Sequence, residues 1–164
     1  MDPKELSKKL SACATMDRVI AARELCQSPE DARLVAVALV RAAGDEDEEV
    51  QEWATAALEE LGTPNVTDVP ALTEMVADRH ENVAYWAVTL LGRLEADAAF
   101  ASGALRLALA EDRPLSVRQR TAWALGRIGV PAASATESLE AAAQDADPRL
   151  ARLATEALEK VRGG

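Results

Sequence analysis

The chain has 164 residues, 49% hydrophobic and 3% aromatic, which excludes a disordered segment and is enough for one domain to bury roughly two thirds of its unfolded surface. With 28 acidic against 18 basic residues the formal charge is −10, so long-range repulsion argues against a nucleic-acid partner. No apolar run reaches the ~18 residues of a membrane span, and Met1-Asp2-Pro3-Lys4-Glu5 lacks the basic-then-apolar order of a signal peptide, so the sequence predicts a cytoplasmic protein with no membrane partner.

In chain order, residues 3–13 place Leu6, Leu10 and Cys13 on one side of a helix, with Pro3 suited to its first turn. A second helix over 17–26 carries Val19, Ile20, Ala22, Leu25 and Cys26. The two cysteines form no Cys-x-x-Cys pair and read as buried, reduced thiols. Ser28-Pro29-Glu30-Asp31 reads as an N-cap, an N1 proline and early acids of a helix running on to Gly44. Five consecutive acids, Asp45 to Glu49, then precede a helix over 47–61 closed by Gly62-Thr63-Pro64. They complement the dipole of that helix, and the absence of Gly at the sixth place removes the calcium-loop alternative. Further pairs are expected over 69–77 and 81–94, 98–110 and 115–128, and 132–144 and 147–162. That makes ten helices in five antiparallel pairs.

The second helix of each pair repeats. Val50, Val83, Val117 and Leu150 are separated by 33, 34 and 33 residues, and an Asp (Asp45, Asp78, Asp112, Asp145) stands five before each. Eight after come Leu58, Leu91, Leu125 and Leu158, and eleven after come Leu61, Leu94, Ile128 and Val161. With the small or apolar residues at offsets 4 and 7 these form one amphipathic stripe, and a helical unit recurring in the thirties means a stacked array. The recurrent Asp is expected to accept amide hydrogen bonds in the turn between paired helices.

Neither the Thr-Pro-Leu-His run of ankyrin repeats nor the Trp-x-x-Leu-Gly-x-x-Tyr pattern of tetratricopeptide repeats is present. Asp, a short turn, Val-Arg, small residues, Ala-Leu-Gly and a further aliphatic resemble the short bacterial HEAT repeat, most fully over Val117 to Gly129, whereas Glu59 and Glu159 stand where Gly is usual. The resemblance covers 29–162 well and the first 28 residues loosely. It implies an all-α, right-handed α-solenoid of about five HEAT-like antiparallel helix pairs. A single domain over 1–164 would then hold a degenerate capping pair, 1–28, and repeats 29–62, 63–95, 96–129 and 130–164.

On a helical wheel, offsets 2, 3, 6 and 10 of the repeated helix lie off the buried stripe. By the resemblance they face the concave side. They hold Glu52, Trp53, Ala56 and Glu60, then Tyr85, Trp86, Thr89 and Arg93, then Gln119, Arg120, Trp123 and Arg127, then Arg152, Leu153, Glu156 and Lys160. All three Trp and the single Tyr fall on this strip, and aromatics bordered by Arg dominate binding surfaces. The candidate partner-binding residues are therefore Trp53, Tyr85, Trp86, Arg93, Arg120, Trp123 and Arg127, with half-buried packing of the Trp side chains between neighbouring helices as the competing reading.

HEAT-like enzymes offer alternatives. Deoxyhypusine hydroxylases need several His-Glu pairs, and His80 is the only His here. The Trp and Arg residues superficially imitate the groove of HEAT-like alkylpurine DNA glycosylases, but Glu52, Glu60 and Glu156 share it. A bilin lyase-like or enzyme-accessory role is the remaining alternative. The leading expectation is a non-catalytic, monomeric adaptor or scaffold for a protein or peptide, without metal or cofactor. Replacing Trp86 and Trp123 by Ala is then expected to remove binding and leave melting nearly unchanged; collapse of melting would mark the aromatics as core.

Overall fold

The computed structural model describes residues 2–164. Among them are eleven α-helices and three 3₁₀ turns with no strand, and no helix is long and apolar enough to cross a membrane. They fall into two compact units, one ending at Asp68 and one spanning Val69–Gly164.

The first unit holds α1 (Pro3–Lys9), α2 (Thr15–Cys26), α3 (Pro29–Leu34), α4 (Ala36–Ala42) and α5 (Glu48–Glu60), then a 3₁₀ turn at Val66–Asp68. Helix α5 packs on α2 and α4, with Val50, Ala54, Ala57 and Leu58 buried on it, Val19, Ala22 and Leu25 buried on α2, and Leu39 and Val40 buried on α4. Ala at offsets 4 and 7 lets the helix axes approach closely. The helix expected over 29–44 is two helices, broken at Val35, whose φ of −126° and ψ of 25° are non-helical. Cys13 corrects the buried-thiol reading. It follows the end of α1 in an exposed turn instead of extending that helix's apolar stripe, while Cys26 is half-buried.

The second unit holds α6 (Val69–Met75), α7 (Glu81–Arg93), α8 (Ser102–Leu107), α9 (Leu115–Ile128), α10 (Thr136–Ala142) and α11 (Pro148–Val161). Its long helices stack in order, α7 on α9 and α9 on α11. The 3₁₀ turns Glu95–Ala101 and Val130–Ala135 lead into α8 and α10, so the helices expected over 98–110 and 132–144 begin as tighter turns. Each turn kinks at a fully buried Ala, Ala98 (φ −91°, ψ 15°) and Ala132 (φ −90°, ψ 19°), thirty-four residues apart. The kink is thus a property of the repeat.

The recurrent Asp behaves as expected wherever a donor exists. Asp45, Asp78 and Asp145 accept the amides of Asp47, His80 and Asp147 at 3.0, 2.8 and 2.9 Å. At the matching place after Asp112 stands Pro114, which has no N–H to give. Asp47 and Asp147 then cap α5 and α11, accepting the amides of Val50 and Leu150 at 3.2 and 2.7 Å. This explains the five consecutive acids in part: two of them organise the turn.

Candidate partner-binding site

The outward faces of α7, α9 and α11 bring Tyr85, Arg120 and Trp123 together. Tyr85 and Arg120 are thirty-five residues apart, one repeat plus one position, so the stacking of α7 on α9 sets them side by side. The Arg120 guanidinium carbon lies 4.8 Å from the Tyr85 ring centre and 5.0 Å from that of Trp123, and its terminal nitrogen donates to the Tyr85 hydroxyl. Two ring faces and a hydrogen bond hold a side chain that otherwise samples many rotamers, so its orientation is fixed before any partner arrives.

Beside it lies a cleft of about 230 Å³ lined by Tyr85, Ser116, Gln119, Arg120, Trp123, Arg149 and Leu153. Ser116 donates to Glu81, and the Gln119 amide nitrogen donates to Asp147 at 2.9 Å. Arg149, in the first turn of α11, is exposed with no hydrogen bond or ion pair among the described residues. The helical wheel omits it, because Arg149 precedes the repeat anchor Leu150 and lies outside the offsets of the strip.

Trp123 has a second role. A Cβ built on Gly92 would come within 2.4 Å of Cζ3 of its ring, so the ring of one repeat lies against the bare backbone of the one before. Gly at this position is a packing requirement.

Trp86 departs from the expected exposed position. It is 7% exposed, meets Tyr85 edge-on at 5.7 Å and 88°, and has the Arg93 guanidinium 5.9 Å from its ring centre. The wheel assumed one buried stripe, whereas nine of the thirteen residues of α7 are buried, leaving little free surface at offset 3. Thr89 on the same strip is buried too. Arg127 is exposed and ion-paired with Glu95. Trp53 belongs to the first unit, where Arg23 stacks on it at 5.1 Å and pairs with Glu49 at 2.9 Å, Glu49 also accepting the indole N–H at 3.4 Å.

The sequence reading missed a second recurrent device. Arg118, 9% exposed, donates to Asp145 at 2.7 Å and to the Leu109 carbonyl at 3.1 Å. Arg18, 7% exposed, donates to Asp45 at 2.8 and 2.9 Å and to the Ala12 carbonyl at 3.1 Å. Each Arg thus ties the end of a preceding helix to the turn Asp of the next repeat, twenty-seven residues on. The signal was partial: Arg118 follows the repeat anchor Val117, whereas Arg18 follows Asp17, which stands thirty-three residues before Val50 where the first pair has no apolar anchor. The Asp147 amide, and then the Arg118 guanidinium, hold the Asp145 carboxyl below the usual carboxylate range.

A larger cleft, about 670 Å³, opens between α8 and α10, with Leu107, Leu109, Ala141 and Ala142 in its walls. Its least exposed polar groups, Arg118 and Asp145, are committed to each other, which makes it a poorer candidate for polar recognition. No group of three or more His, Cys, Asp or Glu side chains among the described residues is placed to hold a metal ion.

Helix pairs stacked at a fixed period, with long helices in register and short ones behind, define an α-solenoid repeat protein. A family model of HEAT repeats matches residues 3–92 and 69–159. The chain belongs to the HEAT-repeat family. No curated protein matches it. Among solved structures, an engineered protein aligns with a TM-score of 0.68 at 20% identity over 100% of this chain and 81% of its own. A designed armadillo repeat protein in complex with the peptide (KR)4 aligns at 0.67 and 19%, over 95% and 80%. The complex of CpcE and CpcF of phycocyanin lyase from a Nostoc species aligns at 0.66 and 22%, over 98% and 65%. At these identities the likeness is one of fold.

Proposed function

We propose that the chain is a non-catalytic adaptor that binds a protein or peptide on the outward face of α7, α9 and α11. The observation that carries this is the Arg120 guanidinium fixed between Tyr85 and Trp123 at the edge of a cleft. Binding energy concentrates in aromatic and Arg side chains whose ordering cost has already been met. Tyr85, Arg120 and Trp123 form the centre, with Arg127 and Arg93 at the rim. The structural likeness to a designed armadillo protein solved with a peptide supports a peptide-sized partner.

The test is selection from a random peptide library on the immobilised chain, in parallel with an Arg120→Glu, Arg127→Glu variant of matching helicity. Peptides enriched on the native chain and lost on the variant are the expected result. Absent enrichment, or the same sequences on both, would refute the assignment.

The likeness to the CpcE–CpcF complex gives a second reading, an accessory subunit of a lyase. A coloured adduct formed on mixing the chain with a free tetrapyrrole would favour it, and an unchanged absorption spectrum would remove it.

A further inference from the structure

The cleft beside Arg120 has a composition that selects its occupant. We infer that it binds the carboxylate side chain of an acidic peptide segment, with Arg120 and Arg149 as the recognising groups; this rests on the adaptor reading and names the chemistry of its partner.

No carboxylate is among the seven residues that line the cleft, although the whole chain is strongly acidic. The two acids bonded to lining side chains are already engaged. Glu81 accepts from Ser116, and Asp147 accepts from Gln119 and from the amide of Leu150. Both acids keep their negative charge, since their donors are neutral, but neither forms an ion pair with Arg120 or Arg149 among the described residues. Charge is also unevenly distributed along the chain. Residues 1–68 carry 15 acidic against 7 basic side chains, whereas residues 69–164 carry 13 against 11, and ten of those eleven are Arg. Arg presents a planar fork suited to two-point contact with a carboxylate.

Size and apolar lining narrow the ligand further. About 230 Å³ lies below the ~300–1,000 Å³ of pockets that enclose a whole small molecule, so the cleft suits one or two side chains of a longer segment. Trp123 and Leu153 supply an apolar wall next to the two Arg. The matching segment places an apolar residue beside Glu or Asp. Arg120 is held from behind by Tyr85 and Trp123, while Arg149 is free to close on the ligand from α11.

Fluorescence anisotropy with short labelled peptides tests this on the intact chain. A peptide alternating Glu and Leu should bind, and its Gln-Leu and Lys-Leu counterparts should not. Arg149→Ala, at an exposed position without partners, should weaken binding about tenfold or more with melting unchanged. Arg120→Lys, which keeps the charge and loses the fork, should weaken it comparably. Equal binding of all three peptides, an unaffected Arg149→Ala variant, or competition by free glutarate as effective as by unlabelled peptide would each overturn the assignment. The library selection separates the two levels: enriched peptides that depend on the face but carry no acid would overturn the carboxylate assignment and leave the adaptor reading standing, whereas no enrichment would overturn both.

Discussion

Replacing Gly92 by Ala probes the contact through which one repeat seats on the next. An Ala in a helix interior is worth about 1 kcal/mol over Gly, so with open space the substitution would stabilise. Here the new Cβ would lie 2.4 Å from Cζ3 and 3.0 Å from Cε3 of the Trp123 ring, and 3.0 Å from the Cβ of Ala124. Carbon atoms prefer about 3.5–4.0 Å, and a rigid indole cannot give by more than 1 Å without moving as a whole. Overpacking of this kind costs about 1–3 kcal/mol, and the depth of the overlap places it in the upper half. The expected net loss is about 1–2 kcal/mol in urea denaturation followed by circular dichroism. In a Trp123→Leu background the ring is absent, and Gly92→Ala should become neutral or stabilising, a coupling of about 2 kcal/mol. Gly126→Ala is the control. Its Cβ would meet the backbone Cα of Ala157 at 3.1 Å, so its cost should be the same with and without the indole. A Gly92→Ala variant that is more stable than the native chain, or equally destabilised in both backgrounds, would refute the packing role of Trp123.

Three further outcomes are expected. Trp86→Ala should cost about 3–5 kcal/mol, the range for removing a buried aromatic, and Trp86→Phe much less; a melting point unchanged by Trp86→Ala would restore the exposed position expected from the sequence. Glu95 has a φ of 53° at the place where Gly62 and Gly129 have 75° and 74°, so Glu95→Gly should relieve about 1–2 kcal/mol of left-handed strain against the loss of an exposed ion pair with Arg127 worth at most about 1, a net gain of about 0.5–1 kcal/mol, and a lowered urea midpoint would contradict it. Asp145 has a folded pKa below its unfolded one, so its stabilisation is fully present above the ordinary value of about 3.9 and is lost as pH falls through the lower folded value. Asp145→Asn should therefore destabilise at neutral pH and lose that deficit in strong acid; a deficit independent of pH would show that the carboxylate charge is irrelevant.

The long helices were legible because their apolar stripe recurs at a constant interval and turn chemistry marks both ends. Leu115–Ile128 matches its expected range to the residue, and Glu81–Arg93 differs by one. Their short partners were less legible. The apolar pattern runs through Val35 and Ala98 without interruption, and the breaks there are changes of backbone dihedral at buried residues, with neither Pro nor Gly beside them; at Ala132 the preceding Gly129 and Pro131 mark a helix start but not the kink that follows it. The candidate face was half legible. The wheel found Tyr85, Arg120 and Trp123, because successive repeated helices hold them at neighbouring offsets. It misplaced Trp86, since a wheel built on one helix cannot register how many sides of that helix are covered, and it passed over Arg149, which belongs to a helix start.

The positions that recur in every repeat are those the stack needs: the turn Asp, the apolar anchor, the small residues between long helices. A partner is recognised through positions where one copy differs from the others. Tyr85, Arg120 and Arg149 are such positions, each with a different residue type at the equivalent place in the neighbouring copies. Trp123 is of both kinds, because its ring fills the space over Gly92 and also flattens Arg120 against Tyr85. Its removal would lower stability and loosen the binding group together, so loss of binding in a Trp123 variant would not separate the two roles. Arg149, exposed and unpaired on the opposite wall, can be changed without touching the stack. It is therefore the residue on which recognition and packing come apart.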